Sequence, residues 1–176
     1  TSCMCRCLTR FVHLGNKDPL GDAEMTGYML KRVAVTSALE LRALTALLHD
    51  EAFEVADVAF EPQSGMVTIP FCRIFHGGPE RLVRRGIFTR KREVDVLRGL
   101  IRIRHVTDTR TVDTEDVGTY TFEEVRFEPA NSELVFAGCP RLELRLHVSS
   151  VEIEYEETGF AGKALITEGW FWQKSR

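Results

Sequence analysis

The sequence predicts a mainly β fold, an antiparallel barrel or sandwich of about seven to nine strands preceded by one short helix. Three observations carry this. Apolar and polar residues alternate through most of the chain, the signature of strands that bury one face. Turn-forming residues separate the alternating runs, and leucines at helical spacing occur over one short stretch, Leu41 to Leu48. Closure or sheet-on-sheet packing is expected because long apolar edges otherwise invite aggregation.

The 176 residues suit one domain and can bury a sizeable core without disulfide or metal support. A 44% hydrophobic and 28% charged composition is that of ordinary globular proteins, and the net charge of -3 gives no general bias toward nucleic acid or acidic membranes. No apolar run reaches the length of a membrane span and the start lacks the apolar centre of a secretory signal, so a cytoplasmic location is the default. The cysteines, Cys3, Cys5, Cys7, Cys72 and Cys139, are odd in number and crowded at one end. That is a poor disulfide framework, and reduced thiols are expected. Cys-x-Cys-x-Cys lacks the second ligand pair of a zinc site, so neither a metal nor any other cofactor is expected.

Residues 1–28 show neither period and read as a leader outside the core, leaving 29–176 as a single β-rich domain. The chain opens on Thr rather than Met, which fits a fragment or a reading-frame extension, with Met25 and Met29 as alternative starts. The helix begins at Ser37, with Glu40 placed to complete a capping box, and presents Leu41, Leu44, Leu47 and Leu48. His49 and Asp50 close it, a histidine being favoured at the negative end of the helix dipole.

The period then changes to two. Val58 and Phe60 share a strand face, Pro62 to Gly65 turn the chain, and Val67, Ile69 and Phe71 return. The figure recurs 67 positions later: Val125, Phe127, Glu128, Pro129 and Cys139 match Val58, Phe60, Glu61, Pro62 and Cys72, five identities in 18 aligned residues. Leu134 and Phe136 take the places of Val67 and Ile69. A third strand ending in His-Val follows each hairpin, Leu100 to Val106 and Leu142 to Val148, suggesting an internal repeat whose first copy carries about 25 extra residues. The core face of the two hairpins is expected to be Val58, Phe60, Val67, Ile69, Val125, Phe127, Leu134 and Phe136. Val151, Ile153 and Tyr155 continue the alternation opposite Glu152, Glu154 and Glu156, and Leu165 to Trp172 reads as a final aromatic-rich strand, with Trp170 and Trp172 as core or rim packing.

The extra segment is strongly basic. Between positions 81 and 104 it carries Arg81, Arg84, Arg85, Arg90, Lys91, Arg92, Arg98, Arg102 and Arg104 against Glu93 and Asp95 alone. Beside a Gly77-Gly78-Pro79 loop, Arg84, Arg85, Arg90, Lys91 and Arg92 form a candidate anion-binding patch. The acidic run from Asp108 to Glu128 offers a competing explanation, charge paired across adjacent strands, and this is the reading preferred. Aromatic residues for base stacking are limited here to Phe75 and Phe88, which makes nucleic acid an unlikely partner. His49 and Asp50, with Glu51, make a second polar cluster capable of acid and base work, although a helix end exposes such residues for solubility alone. The other histidines, 13, 76, 105 and 147, are dispersed and show no ligand spacing, and no nucleophile elbow, phosphate loop or dinucleotide fingerprint is present.

Leu48-His49-Asp50, the strand turning at Phe60-Glu61-Pro62, and the paired hairpins together resemble a loose group of small bacterial β-rich domains that begin with a Leu-His-Asp signature and contain two similar halves. Some of these are assigned as immunity proteins of toxin systems. The resemblance covers about residues 37 to 156, carries no catalytic residues, and implies a non-enzymatic module that binds another protein. The alternative is a small hydrolase or metal-dependent enzyme that brings histidines and carboxylates together.

Overall fold

The computed structural model describes residues 28–75, 81–85 and 89–169. Glu40 accepts hydrogen bonds from the backbone N–H groups of Thr36 (2.8 Å) and Ser37 (3.2 Å), so the expected helix start is held by its acidic residue. A 3-10 turn, Ala38–Glu40, leads into the α-helix α1, Leu41–Leu48, whose Leu41, Leu44 and Leu48 are buried. Thr45 on the same helix donates its hydroxyl to the Val125 carbonyl (3.1 Å) and accepts from the Val125 N–H (3.0 Å), tying the helix to a strand.

The strands are β1 (Arg32–Val35), β2 (Ala52–Glu54), β3 (Ala59–Glu61), β4 (Met66–Ile74), β5 (Arg81–Arg85), β6 (Thr89–Ile103), β7 (Val106–Asp113), β8 (Thr119–Glu128), β9 (Glu133–Cys139), β10 (Leu142–Val148) and β11 (Ile153–Gly169). Among the described residues they form one antiparallel sheet ordered β1-β11-β6-β4-β2-β8-β9-β10-β7, with β3 beside β4 and β5 beside β6. Its end strands, β1 and β7, do not meet. The sheet is therefore open, which removes the barrel alternative. Eleven strands exceed the seven to nine expected because β1 and β2 are too short to show alternation and the basic segment folds as strand rather than loop.

Val67, Ile69, Val125, Leu134 and Phe136 are buried as their parity requires, while Val58, Phe60 and Phe127 are half-buried against the same core. The two hairpins share a register, Phe60 opposite Val67 and Phe127 opposite Leu134. Beyond them the chain crosses over. After β6 it enters β7, which pairs with β10, and after β10 it enters β11, which pairs with β6. Each half thus receives the strand that follows the other, and one apolar cluster is drawn from both halves.

Leu100 to Val106 is not one strand. Ile103 ends β6, His105 takes a left-handed turn (φ 61°), and Val106 starts β7. The corner is pinned by backbone bonds from Val106 N–H to the Gly65 carbonyl (2.9 Å) and from Ser149 N–H to the His105 carbonyl (3.1 Å). The ladders pair Val67 with Ile103 and Leu134 with Leu146, so the counterpart of His147 is Arg104 and the expected match of His105 with His147 slips by one residue. The end of the chain also differs from expectation. A continuous β11 replaces two strands, with bulges at Glu157/Gly159 and Phe160/Gly162, while Trp170, Trp172 and the leader to residue 27 lie outside the described residues.

Cys72 is a free, half-buried thiol, but Cys139 is disulfide-bonded, against the expectation of reduced thiols throughout. No described helix is long and apolar enough to cross a membrane.

Candidate functional site

Strand parity carries two charged residues onto the core face. Along β4, Val67, Ile69 and Phe71 are followed by Arg73; along β11, Ile153 and Tyr155 are followed by Glu157, whose carboxylate is fully buried. They meet at the end of the apolar rows, where Arg73 Nη1 donates to Glu157 Oε1 at 2.6 Å. Glu157 Oε1 also accepts from the Tyr155 hydroxyl (3.1 Å), and Oε2 accepts from the Tyr28 hydroxyl (2.7 Å) and the Lys31 N–H (2.8 Å). Four donors use the roughly four acceptor sites of a carboxylate. Burial opposes its ionisation, but these donors win and hold Glu157 below the usual carboxylate range. A carboxylate so engaged has no lone pair left for a substrate. It fastens residues 28–31 across the sheet.

Glu51 approaches the same arginine from the helix side, 3.3 Å from Arg73 Nε, and is mostly buried. One guanidinium cannot neutralise two carboxylates, and it is committed to Glu157. Burial therefore dominates at Glu51, reinforced by repulsion from Asp50 and Glu157, and pushes its carboxyl up to about 8. The contact is misaligned as a hydrogen bond, leaving Arg73 Nε without a partner. Sequence reading missed this cluster, although its signal is visible as opposite charges continuing core-face parity on two strands.

The candidate anion-binding residues lie on an arm formed by β5, the first part of β6 and the last part of β11. Arg84 stands opposite Lys91 and Arg85 opposite Arg90, while Arg92 lies between Leu82 on one side and Ile166 on the other. Arg84 and Lys91 are exposed. Their strand neighbours do not include the acidic run, which corrects the expectation of pairing with Asp108 to Glu128. Glu124 and Glu128 instead bind Arg126 and Arg145 across β8 and β10, while Arg102, at the other end of the basic segment, binds Glu156 on β11 at 2.7 Å. The arm holds a pair of its own, Lys163 with Glu93 at 3.0 Å, while Arg84 and Lys91 form no ion pair among the described residues. Leu82 and Val83 are about half exposed on it. Gly77, Gly78, Pro79 and Phe88 lie outside the described residues.

His49 Nδ1 lies 3.1 Å from Asp50 Oδ2, and both side chains are exposed. The pair ends the helix where Asp50 turns left-handed (φ 69°) and gives its N–H to the Phe122 carbonyl at 3.0 Å. His105 lies at its corner against Glu152 (2.9 Å), and His147 is exposed on β10. Among the described residues no cluster of histidine, cysteine and carboxylate groups could hold a metal ion. A depression beside β1 is lined by Arg32, Arg104, Glu152 and Glu154, but Arg32 is held by Glu154 and Arg104 lies 3.3 Å from Glu152. Its charges cancel locally, so it makes no anion site. Compared with models of known families, with curated proteins and with solved structures, the chain matches none.

Proposed function

We propose that this chain is a non-enzymatic protein-interaction module, of the immunity-like kind that its Leu-His-Asp signature suggests, and that the arm is its contact element. The observation that carries the reading is the exposure of Leu82 and Val83 inside a strongly basic strand pair. Apolar side chains in water beside the exposed charges of Arg84 and Lys91 are what interfaces bury. The shared hairpin register supports an origin of the two halves by duplication, with the arm inserted in the first. The Glu157 clamp fits scaffolding better than turnover, because its acceptor sites are already filled.

The test is capture of a partner from the native host, followed by reconstitution with purified components. Replacing Leu82→Asp and Val83→Asp together should abolish the reconstituted complex while the circular dichroism spectrum stays that of the parent. Equal binding by that variant overturns the arm as contact element. Failure to recover a stoichiometric partner, together with turnover in a broad substrate screen, overturns the module itself.

A further inference from the structure

Among the described residues the arm ends in an open edge. β5 pairs with β6 on one side, and among the described residues no strand pairs with its other side, so a row of main-chain donors and acceptors faces outward. Such edges template the addition of another strand unless something discourages it. The deterrent here is selective. Arg81, Arg84 and Arg85 occupy three of the five β5 positions. Two copies pairing through this edge would set arginines against arginines, so self-association is disfavoured. Behind β5 the register sets the exposed Lys91 of β6 opposite the exposed Arg84, so exposed cations stand on both strands of the arm. Leu82 and Val83 between the arginines offer exposed aliphatic contact. Among the described residues the exposed ring of Phe160 is engaged edge-on with Phe75 at 5.3 Å and so is not free to stack on a base.

We infer that the β5 edge accepts an extended, acidic segment of a partner protein as an additional strand, with carboxylates beside the arm's cations and apolar side chains against Leu82 and Val83. This rests on the reading of the arm as contact element and adds the partner's chemistry and the mode of binding.

The probe is a fluorescent ten-residue peptide alternating Glu with Val, titrated into the full chain and followed by anisotropy. Three controls accompany it: the same peptide N-methylated at alternate amides, an oligothymidylate of equal charge, and the chain carrying Arg84→Glu with Lys91→Glu. The expected result is saturable binding that weakens at least about tenfold as salt rises from 50 to 300 mM. Loss of about tenfold or more is also expected on N-methylation and on charge reversal of the arm. Equal binding of the N-methylated peptide overturns strand addition and leaves the arm's contact role standing. Tighter binding of the oligothymidylate overturns a protein segment as occupant, and absence of peptide binding at low salt overturns the acidic partner. The contact role itself fails separately, when the Leu82→Asp, Val83→Asp chain keeps its captured partner.

Discussion

The ring of Phe71 occupies the space that Gly99 leaves open on the neighbouring strand. The two are opposite each other in the β4–β6 ladder, and a methyl group on Gly99 would fall inside the ring and lie 2.8 Å from the Glu156 carbonyl oxygen. The second hairpin inverts the arrangement. There Gly138 stands on β9 and Leu142 fills from β10, with a methyl on Gly138 meeting the Thr121 carbonyl oxygen at 3.3 Å and Leu142 Cβ at 3.4 Å, tight but without the overlap found at Gly99. Gly99→Ala should therefore destabilise by about 1–3 kcal/mol, the usual cost of overpacking, and Gly138→Ala by less. Urea unfolding of both variants checks the order. Adding Phe71→Leu to Gly99→Ala should recover part of the loss, since the two side chains share one volume. Equal costs for the two glycine variants would show that the ring yields freely.

Phe136 and Phe127 point to the same core from neighbouring strands but differ in depth. Phe136 is fully buried against Phe122, their ring centroids 6.2 Å apart, whereas Phe127 is only half-buried. Phe136→Ala is expected to cost about 3–5 kcal/mol, as deletion of a buried ring does, and Phe127→Ala clearly less. Thermal or chemical unfolding midpoints decide this. An equal or larger loss at Phe127 would place the core further toward the hairpin turn than the burial pattern does.

Parity made the hairpins legible. Once Pro62 and Pro129 mark the turns, the period of two assigns Val67, Ile69, Leu134 and Phe136 to one face without knowledge of their neighbours. The crossings could not be read in this way. Whether β7 pairs with β6 or with β10 depends on the left-handed turn at His105, and a single histidine advertises such a turn far more weakly than a glycine would. The basic segment misled for a related reason. Charge counts show that arginines and carboxylates occur in adjacent stretches, but pairing needs adjacent strands, and β11, 50 residues onward from Ile103 at Ile153, takes the place next to β6. Glu157 was readable from parity and was passed over because a charged residue in an alternating run reads as solvent-facing.

Glu51 makes stability fall with pH. Its carboxyl titrates near 8 in the folded chain and near 4.5 when exposed, so the folded state keeps a proton that the unfolded state loses. Its contribution is full below about pH 4.5 and disappears as pH rises through 8. Glu143, Glu156 and Glu157 act oppositely, because their arginine and hydrogen-bond partners hold them low and their contributions are gained as pH rises through the acid range. Above about pH 6 those are complete and Glu51 remains. Between pH 6 and 8 unfolding free energy should fall by up to about 1.4 kcal/mol per pH unit through this group. Glu51→Gln, neutral at every pH, should flatten that slope and exceed the parent in stability at pH 8. An equal slope in the variant would show that Arg73 keeps Glu51 ionised after all.

Arg84 and Lys91 separate the two explanations of the basic segment. They face each other across β5 and β6, both exposed, and neither forms an ion pair with a described residue. Had the segment paired with the acidic run, removing its charges would strand carboxylates and lower stability. The acidic run has its own partners, however: Glu128 binds Arg126 and Arg145 at 3.2 Å each. Exposed charges without partners contribute little to folding, so Arg84→Ala with Lys91→Ala should move the unfolding free energy by less than about 0.5 kcal/mol. Relief of repulsion between the two cations makes a slight gain the expected sign. The same variant should elute later from an anionic column than a chain altered at both Arg126 and Arg145, an equal loss of charge, or no earlier, only if the arm were not the basic surface. The arm's surplus charge therefore predicts the reverse order, with the Arg84→Ala, Lys91→Ala chain released at the lower salt. A stability loss above about 1 kcal/mol, with unchanged elution, would return these cations to a structural role within the fold.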